Sequence, residues 1–156
     1  AFGVIASGAG TKPDAISLTP ENVYQEIIKG NAELDNAEVP EIGRVLIVSP
    51  TTYYIMKQCK DIVLNTDMGS EMVTRGVIGN LDGLFVLRVP ASRLPENFGF
   101  MIAHSCATVA PVKLENYFVH ANPPGINGTL VEGRIVYDAF VLDNKKKAIY
   151  YQEVTA

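Results

Sequence analysis

The chain has 156 residues, enough for one domain that buries a core of its own. Charged residues make up 19% and hydrophobic ones 47%, and 13 Lys and Arg against 17 Asp and Glu leave a net charge of −4. That balance excludes a domain-wide basic field for nucleic acid or anionic lipid, and two cysteines, Cys59 and Cys106, are too few and too far apart for a disulfide framework or a zinc knuckle.

The opening AFGVIASGAG is apolar, but it has no Lys or Arg ahead of it and falls short of a spanning helix, so it reads as neither a signal peptide nor an anchor. GAGTK at Gly8 to Lys12 is shorter than a phosphate-binding loop and has no strand before it. Residues 1–18 are read as a connecting segment and residues 19–156 as the folded unit.

Thr19-Pro20-Glu21 combines an N-cap, a proline at the first helical position and an acid in the first turn. Val23, Ile27, Gly30 and Leu34 follow on one stripe, which predicts an amphipathic helix to about Asn36. Arg44-Val45-Leu46-Ile47-Val48 is a continuous apolar run of the kind found in a strand covered on both faces. Ser49-Pro50 repeats the cap-plus-proline signal and opens a second helix through Tyr53, Tyr54, Met56 and Lys57. Asp61 to Arg75 has no clean period and reads as a long loop.

From Gly76 the texture changes to strands. Gly79-Asn80 and Asp82-Gly83 are turn dipeptides, Leu84 to Val89 is β-prone and closed by Pro90, and Phe100 to Ala103 reads as another strand. Ser105 to Val109 suits a single helical turn before Pro111, and Val112 to His120 carries a moderate strand bias. Pro123-Pro124-Gly125 and Asn127-Gly128 force an extended turn, and Arg134 to Leu142 then alternates Ile135, Tyr137, Ala139 and Val141 on one face. Asp143 to Lys147 reads as a polar turn into a partner strand, Ala148 to Val154, so a C-terminal β-hairpin is expected. The sum is an α+β fold, a mixed or antiparallel sheet flanked by helices.

No catalytic constellation emerges. His104 and Cys106 sit two apart, which would put both on one face of a strand, and this pair alone supports a rival reading as a small cytosolic Cys/His hydrolase. No nucleophile motif surrounds them, His120 has no partner at ligand spacing, and the acids are scattered singly, so no catalytic, cofactor or metal residue is assigned. Lys145-Lys146-Lys147 reads as a solvated edge that discourages sheet-to-sheet aggregation.

Four stretches in order carry a resemblance: VPEIGRVLIVSP (Val39 to Pro50), GVIGNLDGLFVLRVP (Gly76 to Pro90), IAHSCATVAPVKLENY (Ile102 to Tyr117) and PPGINGTLVEGRIVYDAFVLDNKKKAIY (Pro123 to Tyr150). Together they resemble tailed-phage major capsid proteins of the Hong Kong 97 fold. The resemblance implies that residues 19–156 correspond to the axial domain with adjoining peripheral-domain strands. It lacks the N-terminal arm, extended loop and spine helix that precede this region in the family.

What the resemblance implies is a structural protein of phage or prophage origin without turnover or cofactor. Its subunits would self-assemble as pentamers and hexamers into an icosahedral virion shell, built in the host cytoplasm. Scaffolding or decoration proteins are conceivable partners, packaged DNA only an indirect one, and no membrane is involved. A bacterial nanocompartment shell shares the same fold. The long loop, with Asn65, Asp67, Met68, Glu71 and Arg75, is the expected subunit contact, because long aperiodic loops tend to be functional or disordered.

Overall fold

The computed structural model describes residues 10–59, 77–125 and 127–155. Helix α1, Val23–Asn36, buries Val23, Ile27, Gly30 and Leu34, the stripe expected from the 3.6-residue period. It begins later than the Thr-Pro-Glu signal suggests: Pro20 and Glu21 lie in a turn closed by the Val23 N–H donating to the Thr19 carbonyl at 3.0 Å. The N-cap is Asn22, whose Oδ1 accepts the Thr19 N–H at 2.7 Å. The other end is a Schellman motif. Glu38 takes φ 56°, and the N–H groups of Glu38 and Val39 donate to the carbonyls of Asp35 and Leu34.

Strand β1, Arg44–Val48, leads into helix α2, Pro50–Gln58. Ser49 caps α2 by accepting the Thr52 N–H, with Pro50 in the first turn as expected. The Thr52 hydroxyl donates to the Gly99 carbonyl at 2.8 Å and ties α2 to the sheet. Strands β2, Val77–Leu81, and β3, Leu84–Arg88, form a hairpin across Asp82-Gly83, both with positive φ, the type I′ signature. Strand β4 runs Phe98–His104 and β9 runs Ile149–Glu153. The sheet order is β2-β3-β1-β4-β9, with β1 and β3 parallel and the other pairs antiparallel, so the mixed α+β architecture stands.

On the helical side of the sheet, Leu46, Val48, Leu84, Val86, Phe100, Ile102 and Tyr150 pack with the α1 stripe and Met56. On the other side Phe98, Met101, Ala103, Ile149 and Tyr151 pack with Ala107 and Ala148. The β9 edge is not left open. Residues 11–16 run beside it, with the Thr11 N–H donating to the Ile149 carbonyl and the Tyr151 N–H to the Thr11 carbonyl.

The expected C-terminal hairpin is not formed. Strand β7, Thr129–Tyr137, pairs antiparallel with β6, Val112–Ala121, over the Pro123 to Gly128 turn, whereas β9 joins the central sheet beside β4. Asp143–Ala148 is wound as a 3-10 turn that carries the chain from one sheet to the other, not as a tight reversal. The single strand expected over 134–142 is split: its first part is the end of β7, 138–139 are not in a strand, and 140–141 form a separate short strand, while period 2 says nothing about which strand pairs with either.

Candidate interaction surface

The β6–β7 ribbon stands apart from the core. Its root is a two-residue pairing between β5, Thr108–Val109, and β8, Phe140–Val141, assisted by the Leu142 N–H donating to the Ala107 carbonyl. Every residue of β7 is solvent-exposed, so neither ribbon face packs on the domain. A two-stranded ribbon in water is marginal by itself, and this one is stabilised chiefly by its own ladder and cross-strand pairs.

Its two faces differ. The register pairs Glu115 with Ile135, Tyr117 with Gly133, Val119 with Val131 and Ala121 with Thr129. Because successive side chains alternate, these pairs share one face, on which Glu115 is the charged residue among the paired positions. Tyr117 is 69% exposed, Val119 58%, Ile135 56% and Val131 53%. The opposite face carries Asn116 with Arg134, Phe118 with Glu132 and His120 with Leu130, and there His120 Nε2 lies 3.5 Å from a Glu132 carboxylate oxygen. Exposed apolar residues grouped on one face of a projecting element make it the candidate contact surface. Sequence reading missed it, although the odd positions of 117–121 and 131–135 carry no charge while Glu132, Arg134 and His120 fall on even ones.

The expected contact residues Asn65, Asp67, Met68, Glu71 and Arg75 lie outside the described residues. His104 and Cys106 do come together, but through the backbone. The His104 Nδ1 accepts the Cys106 N–H at 3.1 Å, and its Nε2 lies 3.1 Å from the Ile42 carbonyl oxygen, which requires that nitrogen to carry the proton. Both ring nitrogens are thus committed to main-chain partners, and the imidazole has none left to deprotonate the thiol. The ring caps the 3-10 turn Ser105–Ala107 instead. Among the described residues no group of three His, Cys, Asp or Glu could hold a metal ion, and no helix is long and apolar enough to cross a membrane.

The mixed five-stranded sheet with helices on one side and a projecting ribbon between β4 and β9 is a fold shared with chains from phage structures. In particular, the chain superposes on a chain of Mycobacterium phage Che8 with a TM-score of 0.64 at 17% identity, covering 95% of this chain and 54% of that one. It superposes on a chain from the capsid structure of the Cyanophage P-SCSP1u with a TM-score of 0.61 at 16% identity, covering 94% and 52%. The chain therefore spans about half the length of these solved structures. No family model and no curated protein matches the sequence.

Proposed function

We propose that this chain is part of a structural subunit of a phage or prophage head shell of the Hong Kong 97 type, acting by self-assembly and without catalysis. The observation that carries the reading is the fold likeness to a chain in a cyanophage capsid over 94% of the residues. The motif order in the sequence points the same way, and the β6–β7 ribbon, apolar and unpacked, is what a piece of a shell subunit presents to other segments or neighbours. In this reading residues 19–156 are the axial domain with peripheral-domain strands, and the ribbon is the peripheral part. The shell would enclose DNA, with pentamers and hexamers of the same subunit as the main partners.

Electron microscopy of the complete gene product after expression tests this. Closed shells of uniform size are expected, and a strictly monomeric product overturns the reading. A nanocompartment shell is separated by content, since protein cargo in place of packaged DNA would assign the fold to storage.

A further inference from the structure

One end of the sheet gathers three connections. Arg44 pairs with His104, Val45 with Phe85 and Ala103 with Ile149, so β1, β3 and β9 start, and β4 finishes, at the same end. In strand order that end holds the Asp82-Gly83 turn, the α1–β1 loop 37–43 and the 3-10 turn Asp143–Ala148. Asp82, Glu38 and Glu41 are exposed on the first two, and Lys145, Lys146 and Lys147 are exposed on the third. Among the described residues only Lys146 of these six has an ion-pair partner, Asp143 at 2.7 Å. Strands lie about 4.8 Å apart, so β9 stands roughly 10 Å from β1 and roughly 14 Å from β3, and among the described residues no ion pair joins the two charge groups.

Next to Glu41 in the same loop is Ile42, 90% exposed, the most exposed large apolar side chain among the described residues. Its loop is held firmly. The buried Arg44 guanidinium donates to the Val39 and Pro40 carbonyls at 2.6 and 3.1 Å, and His104 takes the Ile42 carbonyl. An apolar side chain displayed on a fixed backbone has met its ordering cost at folding, which favours contact with a partner.

We propose that loop 37–43 and the Asp82 turn form a docking surface for the Lys145–Lys147 turn of a second copy of this chain. Ile42 packs on the lysine stems while Glu38, Glu41 and Asp82 face the ammonium groups. Two different patches on one subunit make a heterologous contact, which closes into a ring when the rotation allows. The inference rests on the self-assembly reading and names one contact within it.

The test is sedimentation velocity of the 156-residue chain at low salt, with a charge swap. Replacing Lys145, Lys146 and Lys147 by Glu is expected to weaken self-association at least roughly tenfold, as is raising the salt until the Debye length is about 3 Å. Adding Glu38→Lys, Glu41→Lys and Asp82→Lys to the lysine variant is expected to restore it. Ile42→Asp is expected to weaken association without moving the melting temperature. Self-association unchanged by the lysine reversals, including a wild type that is monomeric throughout, overturns the contact, as does a swap that restores nothing. Uniform shells that tolerate the reversals would overturn this contact alone, whereas a complete gene product that forms no shells overturns the broader reading.

Discussion

Arg44 and His104 face each other across β1 and β4, and both turn their side chains onto the carbonyls of one loop. Arg44 reaches further. It also donates to Asn31 Oδ1 at 2.6 Å and pairs with Asp35 at 2.7 Å, joining the last turns of α1 to the first residue of β1. Arginine suits this position because its fork of donors serves several acceptors from one buried head.

Arg44→Met is expected to destabilise by roughly 1–3 kcal/mol, because the part-buried Val39 and Pro40 carbonyls and Asn31 Oδ1 lose the donors of one buried guanidinium. Asp35→Asn should cost under about 1 kcal/mol, since that carboxylate is 62% exposed and water replaces the partner it loses. Urea unfolding of both variants checks the contrast. Equal losses would show that the ion pair, not the carbonyl donors, is what matters.

Gly30 sits in mid-helix, where alanine would ordinarily gain about 1 kcal/mol of helix propensity. A Cβ there would lie 2.8 and 2.9 Å from the Tyr150 ring and 3.0 Å from Ile102 Cδ1. Those atoms belong to the packed core, and overpacking costs about 1–3 kcal/mol, so Gly30→Ala is expected to destabilise on balance. A higher melting temperature in the alanine variant would show that α1 can move off the sheet at little cost.

Among the described residues the Tyr151 hydroxyl is buried without a hydrogen-bond partner. Tyr151→Phe should therefore be neutral or stabilising by up to about 1 kcal/mol, since an unsatisfied polar group is removed and the ring contact with Phe98 stays. Burial, helped by Glu153, pushes the Tyr151 phenol above its ordinary value, and burial, helped by Glu26 and Glu33, does the same for Tyr150. A folded-state value above the unfolded one, about 10, leaves stability full below that pH and removes it as pH rises through the folded values. Unfolding curves against pH should fall in alkali, less steeply in Tyr151→Phe. An identical fall in both proteins would exclude Tyr151 as a source.

Threonine at Val119, Val131 and Ile135 should lower binding of an apolar dye while leaving urea unfolding within about 0.5 kcal/mol of wild type, as surface substitutions usually do. Tyr137→Pro removes a donor at the root pair with Val112. It should raise amide exchange along the ribbon and leave β1 and β4 protected. Global unfolding in either variant would mean that the ribbon supports the core.

Because the His104 ring is committed to backbone partners, His104→Gln should not slow alkylation of Cys106 by iodoacetamide. A tenfold slower reaction would reveal a thiol–imidazole pair and revive the hydrolase reading.

Much of the local chemistry was legible, although the Thr19-Pro20-Glu21 signal put the start of α1 too early and Gly79-Asn80, read as a turn, lies within β2. The α1 stripe, the Ser49-Pro50 cap, the Asp82-Gly83 turn and the apolar runs of β1, β3 and β4 arise from interactions within a few residues, and those are written in the order of the chain. The resemblance to capsid proteins likewise rested on contiguous motifs. What only the tertiary structure decided is pairing and exposure. Alternation in 134–142 marks a strand but leaves its partner open, so β7 was assigned to β9 when the Pro123–Gly128 turn brings it to β6. Arg44 reads as the start of an apolar run, and its function as a buried clasp depends on acceptors from Asn31 to Pro40 that only folding gathers. His104 acts through Ile42, 62 residues away, where short-range spacing had pointed to Cys106. A residue's period fixes which way it faces, while its partner is set by loop closures that sequence neighbours do not encode.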